Sequence, residues 1–393
     1  MKKRSEKTEK APATMHDLRQ MNNAHANLLK RSSPVYEVSL GAQSPTALGQ
    51  TLTWKIKNTG YVTGFYLSMS LTTVIGTAAA TLSPRGLYAY LTRIRFVDYS
   101  NVDRLNLSGY QLFVRNSVVS ARDSLAGMSN IATATSQSII TTGITTGLIN
   151  PNVTLTVGTN TQRLLMYIPV CADIESGDLR GMLLAETTEG EARLIIETAN
   201  ALYGNANDDF VFNGSGTTTV AFSAATFEVF QVYFYPQAVK GVVPKPMMDM
   251  RTIYELNGNT RSTDNFSSGT DKYISLMNNR IVKRLFLNYQ NNGVLGGSTG
   301  NELSTFKYVV GGGNFISVVP EQIKQFQQLQ RVGTPLPKGS YFFEWRHGIK
   351  TDNYGATQVS IVPSGTLVNP YVEYLSENLI MSNSPLSSIA SQG

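Results

Sequence analysis

The sequence is poor in the residues on which most metal sites and many active sites depend. Its 393 residues include one cysteine and three histidines, and only 15% are charged. A single cysteine excludes an internal disulfide framework. No apolar run approaches the ~18 residues that a transmembrane helix needs. The basic start MKKRSEKTEKAPAT lacks the apolar segment of a secretory signal behind it. We therefore expect a protein made in a cytoplasm that does not leave it by the general secretory route.

The residues that are abundant favour β-structure. Apolar residues make up 41% of the chain and aromatic residues 9%, which is enough for well-packed interiors. The length exceeds what one hydrophobic core usually serves, so two domains are expected. The low charge also suits a protein that buries much surface against neighbours, because the centres of protein interfaces are depleted of charge.

The net charge of +6 lies almost entirely at the N-terminus. The first 31 residues hold eight basic and three acidic side chains, and the other 362 residues carry a net charge of +1. Such a basic arm on a nearly neutral body indicates contact with phosphate, either of lipid headgroups or of nucleic acid. The basic residues of the arm are Lys2, Lys3, Arg4, Lys7, Lys10, Arg19, Lys30 and Arg31.

A short amphipathic helix is predicted behind the start of the arm. Thr14 and Asp17 resemble a capping box, and Pro34 marks the end of the pattern. The predicted apolar face consists of Met15, Leu18, Met21, Leu28 and Leu29.

Short β-rich runs separated by turn residues follow along the rest of the chain. About ten such runs, among them LNLSGYQLFVRN and FEVFQVYFY, precede a proline-containing seam at 236–246, and about seven or eight follow it. One helix is predicted in the second half, at PEQIKQFQQLQRV, with Ile323, Phe326 and Leu329 on one side. The fold class is therefore all-β, with two antiparallel sandwiches of similar strand rhythm.

The predicted boundaries follow from these patterns. They are an arm with its amphipathic helix at 1–33, a first β-domain at 34–238, a linker at 239–250, a second β-domain at 251–382 and a C-terminal tail at 383–393.

No group of residues makes a convincing active site. His16 and His25 lie on opposite sides of the predicted helix and cannot share a metal. Asp208 and Asp209 could bind calcium, but a polar turn explains them better. Ser298 matches a nucleophile elbow only in letters, because a Gly- and Asn-rich loop surrounds it. We predict no catalytic residue, no metal and no cofactor, although carboxylates paired in space stay possible.

Cys171 has no histidine within a hundred residues along the chain, and a small buried or half-buried residue is the expected role.

Several stretches resemble the major capsid proteins of tectiviruses, tailless icosahedral bacteriophages with an internal membrane. The likeness is carried by RIRFVDYSNVDRLNLSGYQLFVRN, LLMYIPVCADIESGDLRGMLLAETTEGEARLIIETANALYG, FEVFQVYFYPQ, DMRTIYEL and PLPKGSYFFEWRHGIKTDNYGATQVSIVP. Their order and spacing over most of the chain carry the resemblance, since none of them bears chemistry. The very basic opening MKKRSEKTEK departs from the family pattern and leaves the contact of the arm open between lipid, DNA and a neighbouring capsomer.

The resemblance implies a structural, non-enzymatic protein of the virion, assembled in the host cytoplasm. Its fold would be two eight-stranded jelly rolls side by side in one chain. Three chains would form a homotrimer, a pseudo-hexagonal tile of an icosahedral shell. Its implied partners are neighbouring capsomers, minor capsid and vertex proteins, and an inner membrane that the N-terminal arm faces, with no small-molecule substrate.

Two other classes of function stay open at this point. One is a double jelly-roll protein that binds or cleaves glycans, as a lectin or an amidase does. The other is a nucleic-acid-binding protein led by the basic arm. Removal of residues 1–33 separates them, because a capsid trimer survives the cut and a nucleic-acid binder loses its activity.

Overall fold

The computed structural model describes most of the chain from residue 35 onwards. The described residues are 35–119, 129–130, 154–172, 178, 180–185, 190–214, 216–235, 252–263, 266–297, 302–310, 314–332, 336, 338–351 and 357–381. The predicted arm, linker and tail therefore lie outside them.

Thirteen described strands and one α-helix make up the first half of the chain, together with a short 3-10 helix at Gly86–Tyr90. The elements are β1 (Val35–Gln43), β2 (Thr51–Lys55), β3 (Tyr61–Gly76), β4 (Ala80–Leu82), β5 (Leu91–Val97), β6 (Asp103–Leu107), α1 (Gly109–Val119), β7 (Ser129–Asn130), β8 (Thr154–Leu155), β9 (Gly158–Pro169), β10 (Leu183–Leu184), β11 (Arg193–Thr198), β12 (Phe212–Asn213) and β13 (Thr219–Phe234).

The second half of the chain is built in the same way, from nine described strands and one α-helix. The elements are β14 (Thr252–Ser262), β15 (Lys272–Ser275), β16 (Ile281–Asn291), β17 (Val294–Leu295), β18 (Leu303–Val310), β19 (Asn314–Pro320), α2 (Glu321–Val332), β20 (Ser340–Lys350), β21 (Thr357–Pro363) and β22 (Tyr371–Met381).

Both halves have the same strand order. In the first half, β1-β13-β3-β9 form one sheet and β2-β11-β5-β6 the other; in the second half, β14-β22-β16-β20 form one and β15-β21-β18-β19 the other. The eight long strands, in chain order, are β1, β2, β3, β5, β6, β9, β11 and β13 in the first half and β14, β15, β16, β18, β19, β20, β21 and β22 in the second. Numbered in this order, the first, eighth, third and sixth strands form one sheet of each half, and the second, seventh, fourth and fifth form the other. This is a two-sheet jelly roll. The predicted fold class of two jelly rolls in one chain is confirmed, and the halves are the same kind of module.

Alternation along the strands builds the core of each roll. In β3, Phe65, Leu67 and Met69 are buried, whereas Tyr66 and Ser68 between them are partly exposed on the other face. This period of two is what a strand with one face on a core requires. The central position of β13 between β1 and β3 explains its apolar residues on both faces.

The two rolls share one continuous sheet. β6, at the edge of the first roll, pairs in parallel with β14 of the second roll, with Leu105 opposite Leu256 and Asn106 opposite Asn257. The sheet therefore runs from one roll into the other, which places the rolls side by side.

The helix α1 corrects one prediction. LNLSGYQLFVRN was predicted as a strand, but the strand ends at Leu107 and a helix begins at Gly109. The reason is a capping box: the backbone N–H of Gln111 donates to Ser108 Oγ at 3.2 Å, and the backbone N–H of Ser108 donates to Gln111 Oε1 at 2.9 Å. The helix predicted in the second half is confirmed as α2.

The two helices occupy equivalent places. Each follows the fifth long strand of its roll and precedes the sixth. Neither could span a bilayer, and the same holds for every helix in the part of the chain that the structure describes.

Candidate functional site at the junction of the two rolls

Buried polar and charged side chains occupy the junction between the rolls, and α1 lies in its centre. Ten of the eleven residues of α1 are buried. The helix contacts β5 and β9 of its own roll and β16 and β22 of the second roll. On the second roll, Phe286, Phe342 and Leu375 join the hydrophobic core of the first half. The outer face of the sheet β14-β22-β16-β20 is therefore covered by the first roll.

Gln111 connects the helix cap to the second roll. While its side-chain oxygen caps α1, its Nε2 donates to the backbone carbonyls of Asn259 at 2.9 Å and Tyr374 at 3.2 Å. One side chain thus satisfies the start of the helix and binds β14 and β22.

Arg115 brings a positive charge into the junction from α1. Its Nη2 donates to the backbone carbonyl of Ala172 at 3.0 Å and to the hydroxyl of Tyr254 at 3.0 Å. The same nitrogen lies 3.4 Å from a carboxylate oxygen of Glu377, and both side chains are almost fully buried, at 2% and 0% exposure.

Glu377, on β22, accepts hydrogen bonds from side chains of both rolls. Besides Arg115, it accepts hydrogen bonds from Arg284 Nη1 at 3.0 Å and from the Tyr254 hydroxyl at 2.9 Å. Burial acts to raise the pKa of Glu377, but the positive charges of Arg284 and Arg115 outweigh it and hold the pKa below its usual range. The carboxylate is therefore kept ionised inside the junction.

The network continues to the second helix. Arg284 Nε lies 2.8 Å from Glu344, and Glu344 in turn lies 2.8 Å from Arg331 of α2. An alternating row of charges thus connects α1 to α2 through β22, β16 and β20.

A second charged cluster surrounds Arg85. Its Nη1 lies 2.9 Å from Glu373, and its Nη2 donates to Gln290 at 3.0 Å and to the Tyr371 hydroxyl at 3.2 Å. Its guanidinium carbon also lies 4.9 Å from the ring centroid of Tyr110. Burial acts to lower the pKa of Arg85, but the neighbouring acids, Glu373 above all, raise it overall.

The aspartates once considered for calcium belong to this junction. Asp208 accepts from the backbone N–H of Leu295 at 2.9 Å, and its own backbone N–H donates to Gly293 at 2.8 Å. Asp209 accepts a short hydrogen bond from Tyr371. Among the described residues, no three His, Cys, Asp or Glu side chains are grouped so that they could hold a metal ion. The turn that contains Asp208 and Asp209 therefore binds the second roll.

A third ion pair crosses the junction at its edge. Asp178 of the first half lies 2.9 Å from Lys283 Nζ and 2.6 Å from Arg180 Nη2. Burial acts to raise the pKa of Asp178, but the hydrogen bond from Arg180 and the charge of Lys283 lower it to about 2.

The arrangement can hold two modules at a fixed angle. A shift of one roll against the other would leave buried charges without partners, at a cost of about 3–5 kcal/mol for each broken buried pair.

The residues predicted to contact lipid or nucleic acid lie outside the described residues. This applies to the arm residues Lys2, Lys3, Arg4, Lys7, Lys10, Arg19, Lys30 and Arg31 and to the helix residues Met15, Leu18, Met21, Leu28 and Leu29. Their roles stay predictions. Ser298 is also outside, whereas Cys171 is buried and its Sγ lies 3.6 Å from the carbonyl oxygen of Thr63, in agreement with its expected role.

Sequence reasoning missed the junction, although a signal was present. In YVEYLSENL, Glu373 and Glu377 are an even number of residues apart and share a strand face with Leu375. Two acids on an apolar strand face indicate buried basic partners. The identity of those partners, Arg85 and Arg115, depends on the tertiary structure.

The fold and this junction define a double jelly-roll protein. The structure is similar to that of the STIV MCP, from Sulfolobus Turreted Icosahedral Virus, with a TM-score of 0.64 and 12% identity over 92% of this chain and 100% of that one. It is also similar to a chain of the PBCV-1 virus capsid, with a TM-score of 0.56 and 12% identity over 89% of this chain and 95% of that one.

Sequence comparison defines the family. The family described as P3 major capsid protein N-terminal matches residues 22–236. Major capsid protein P3 of Enterobacteria phage PRD1 is 23% identical over 334 residues, which cover 82% of this chain and 80% of that protein. The chain belongs to the P3 major capsid protein family and is a structural component of a viral capsid, as the tectivirus resemblance indicated. The glycan-binding alternative gains no support from these relatives.

Proposed function

We propose that three copies of this chain form a pseudo-hexagonal capsomer that tiles an icosahedral shell. The single observation that carries this proposal is the repetition of one strand order in two rolls that lie side by side. Two equivalent modules per chain allow a trimer to present six similar sides.

The rigid junction supports the same role. The ion pairs around Glu377 and Arg85 connect the rolls, and their charged side chains are buried and paired with one another. We propose that the chain has no enzymatic activity and acts through its surfaces, in contact with neighbouring capsomers and with minor capsid and vertex proteins.

Light scattering coupled to size exclusion tests the trimer. We expect a species of about three times the chain mass of 42.9 kDa, stable on dilution, and closed shells in electron micrographs when assembly is allowed. A chain that stays monomeric at every concentration would contradict the proposal.

We further propose that residues 1–33 face an internal membrane. Eight basic residues among the first 31 would attract anionic headgroups, at about 1 kcal/mol for each charge near the surface. In flotation with vesicles, the full chain should float with anionic vesicles and not with neutral ones, and a chain lacking 1–33 should float with neither. Equal binding of both chains would contradict this role.

A further inference from the structure

The junction inside the chain has a giving side and a receiving side. The first roll gives its edge strand β6 and the helix α1. The second roll receives them with its edge strand β14 and with the outer face of the sheet β14-β22-β16-β20.

The chain carries a second, unused copy of each side. Because the strand order repeats, β19 and α2 are the equivalents of β6 and α1, and β1 is the equivalent of β14. Both β1 and β19 are edge strands among the strands that the structure describes. An unpaired edge offers backbone donors and acceptors to another strand.

The helix α2 has its apolar residues on the outside. Ile323, Phe326 and Leu329 are 50%, 56% and 42% exposed. They are three residues apart and therefore share one face of the helix. We call them the α2 stripe.

Polar side chains hold the inner face of α2 against its own roll. Glu321, Lys324 and Gln328 are buried. Gln328 accepts from the backbone N–H of Phe342 at 2.8 Å, and Lys324 Nζ lies 3.9 Å from the ring centroid of Phe343. The orientation of the helix is thus fixed by specific contacts, and the α2 stripe is presented to the outside.

The outer face of the first roll offers a matching surface. Tyr66 and Phe230 lie opposite each other on β3 and β13, and Leu165 lies opposite Ser68 on β9. These residues share the face of the sheet that points away from the core residues Phe65 and Leu67 of the same strand β3. Leu165 is 43% exposed, and Tyr66 and Phe230 are partly exposed.

This surface corresponds to the one that α1 covers in the second roll. There the cross-strand row is Phe342, Phe286 and Leu375. In the first roll the corresponding strands carry Tyr167, Tyr66 and Phe230. An aromatic row across the same three strands recurs, in which Tyr167 is 4% exposed. Among the described residues, only the row of the second roll is covered by a helix of the other roll.

We propose that the α2 stripe and the β19 edge of one copy dock on the first roll of a second copy. The receiving surface is the outer face of β3, β9 and β13 together with the β1 edge. This inference rests on the proposed trimer and names its contact surface. Because the giving and receiving sides lie on different rolls, the contact is head-to-tail, and it closes into a ring when the angle between successive rolls is repeated.

The repeated strand order supports a copy of this chain as the occupant. The outward residues of α2 beside the stripe are Gln322, Gln327 and Gln330, and Ser68, Ser70 and Thr72 lie on the outer face of β3. The α2 stripe is uncharged, whereas the receiving face carries Arg163 of β9, opposite Ser70, and Glu228 of β13, opposite Ser68. Glu228 holds the place on this face that Glu373 has on the equivalent face of the second roll.

A charge placed in the α2 stripe tests the proposal. Phe326→Glu should raise the dissociation constant of the trimer at least about 100-fold, because a carboxylate would replace an apolar ring and lose its hydration in the contact. The matched control is Tyr273→Glu, on β15, which is 45% exposed and lies outside the proposed contact. The readout is mass by light scattering over a dilution series, with circular dichroism to show that both variants are folded.

The outcomes separate the inference from the proposed function. A wild-type chain that never associates contradicts the trimer itself. A trimer that Phe326→Glu leaves as stable as Tyr273→Glu overturns the α2 stripe as the contact and leaves the trimer in place.

Mixing two defective variants tests the head-to-tail arrangement. Phe326→Glu damages the giving side and Leu165→Glu the receiving side, so each alone should remain a single chain. Mixed in equal amounts, they should form a species of two chains, because one intact pair of surfaces remains. A mixture that stays at the mass of one chain overturns the arrangement.

A photocrosslinker gives an independent measurement if Leu165→Glu fails to fold. A benzophenone amino acid at position 326 should crosslink to an isotope-labelled second copy within β3, β9 or β13. Crosslinks to α2 of the second copy would instead show a symmetric contact and overturn the proposal.

Discussion

The helices α1 and α2 hold the same position in two rolls of the same topology, yet their surroundings are opposite. α1 is buried on nearly every side and carries Phe113 and Arg115, both at most 2% exposed, into the junction. α2 is covered on one side only and leaves Phe326 56% exposed. The difference teaches that one structural position can serve two kinds of contact, one closed within the chain and one left open at its surface.

Truncation of one aromatic residue in each helix should give the largest contrast. Phe113 stacks on Tyr88 with ring centroids 4.4 Å apart, so Phe113→Ala should lower the free energy of unfolding by about 3–5 kcal/mol. Phe326→Ala should change it by no more than about 0.5 kcal/mol in the dissociated chain. Urea denaturation at several protein concentrations measures both.

The concentration dependence distinguishes the two sites. The loss at Phe113 should be the same at every concentration, whereas the loss at Phe326 should grow as association becomes important. A concentration-independent loss at Phe326 would contradict the open role of α2.

Removal of the buried charge of Glu377 should lower the free energy of unfolding by nearly as much as Phe113→Ala. Glu377→Gln keeps the shape of the side chain but removes the carboxylate that Arg115 and Arg284 share, so that Arg284 retains only Glu344, and we expect a loss of about 3 kcal/mol. The same change at Glu191, whose ion pair with Lys55 has side chains 56% and 71% exposed, should lower the free energy of unfolding far less, because water screens an exposed pair. If thermal or urea denaturation gave the same loss of stability for Glu377→Gln and Glu191→Gln, the junction would not depend on its ionic network.

Acid should weaken the junction within a defined pH range. The pKa of Asp178 is lowered from 3.8 to about 2 in the folded chain. A carboxyl with a lowered folded-state pKa contributes stability above its unfolded-state pKa and loses it as the pH falls through the folded-state value. The free energy of unfolding should therefore drop between about pH 4 and pH 2, by about 2 kcal/mol for this group.

Asp178→Asn is the variant that checks this effect. Its unfolding free energy, measured by urea denaturation from pH 5 to pH 2, should fall less steeply than that of the wild type. Identical slopes for the variant and the wild type would mean that the contacts with Lys283 and Arg180 do not lower the pKa of Asp178.

The smallest of these changes in stability is expected for a substitution of Lys324 on the inner face of α2. Burial lowers the pKa of Lys324 from 10.5 to about 8, because the ammonium group loses its hydration. Lys324→Met should stabilise the chain at pH 7 by about 1 kcal/mol, after the loss of the ring contact with Phe343 is included.

The sign of the pH dependence is specific to a lowered amine pKa. Between about pH 8 and pH 10.5 the folded wild type loses its proton before the unfolded chain does, so its stability rises and the difference from Lys324→Met narrows. Gln327→Met, on the exposed face of the same helix, should show no such narrowing. A constant difference across this range would contradict the buried position of the ammonium group.

The same comparison shows how far the sequence could lead. The spacing of turns and β-rich runs predicted two β-sandwiches, and the three-residue spacing of Ile323, Phe326 and Leu329 predicted α2. The helix α1 was missed because it is buried on all sides and therefore has no polar stripe, so its apolar residues look like a strand. Ser108 and Gln111, spaced as a capping box, were the local signal that could have found it.

The ionic network was less accessible to prediction. Arg85 and Glu373 are 288 residues apart along the chain, and Arg115 and Glu377 are 262 apart. Only the packing of the second roll on α1 brings them together, and one sequence records no such pairing.

The parallel pairing of β6 with β14 has a consequence for how assembly depends on concentration. In the proposed ring of six rolls, alternate contacts are made within a chain, at an effective concentration set by the tether and not by the amount of protein in the cell. Only the remaining contacts must form by collision. A double module thus halves the number of contacts that must form between separate molecules, and a chain that has folded has already completed its share of the tile.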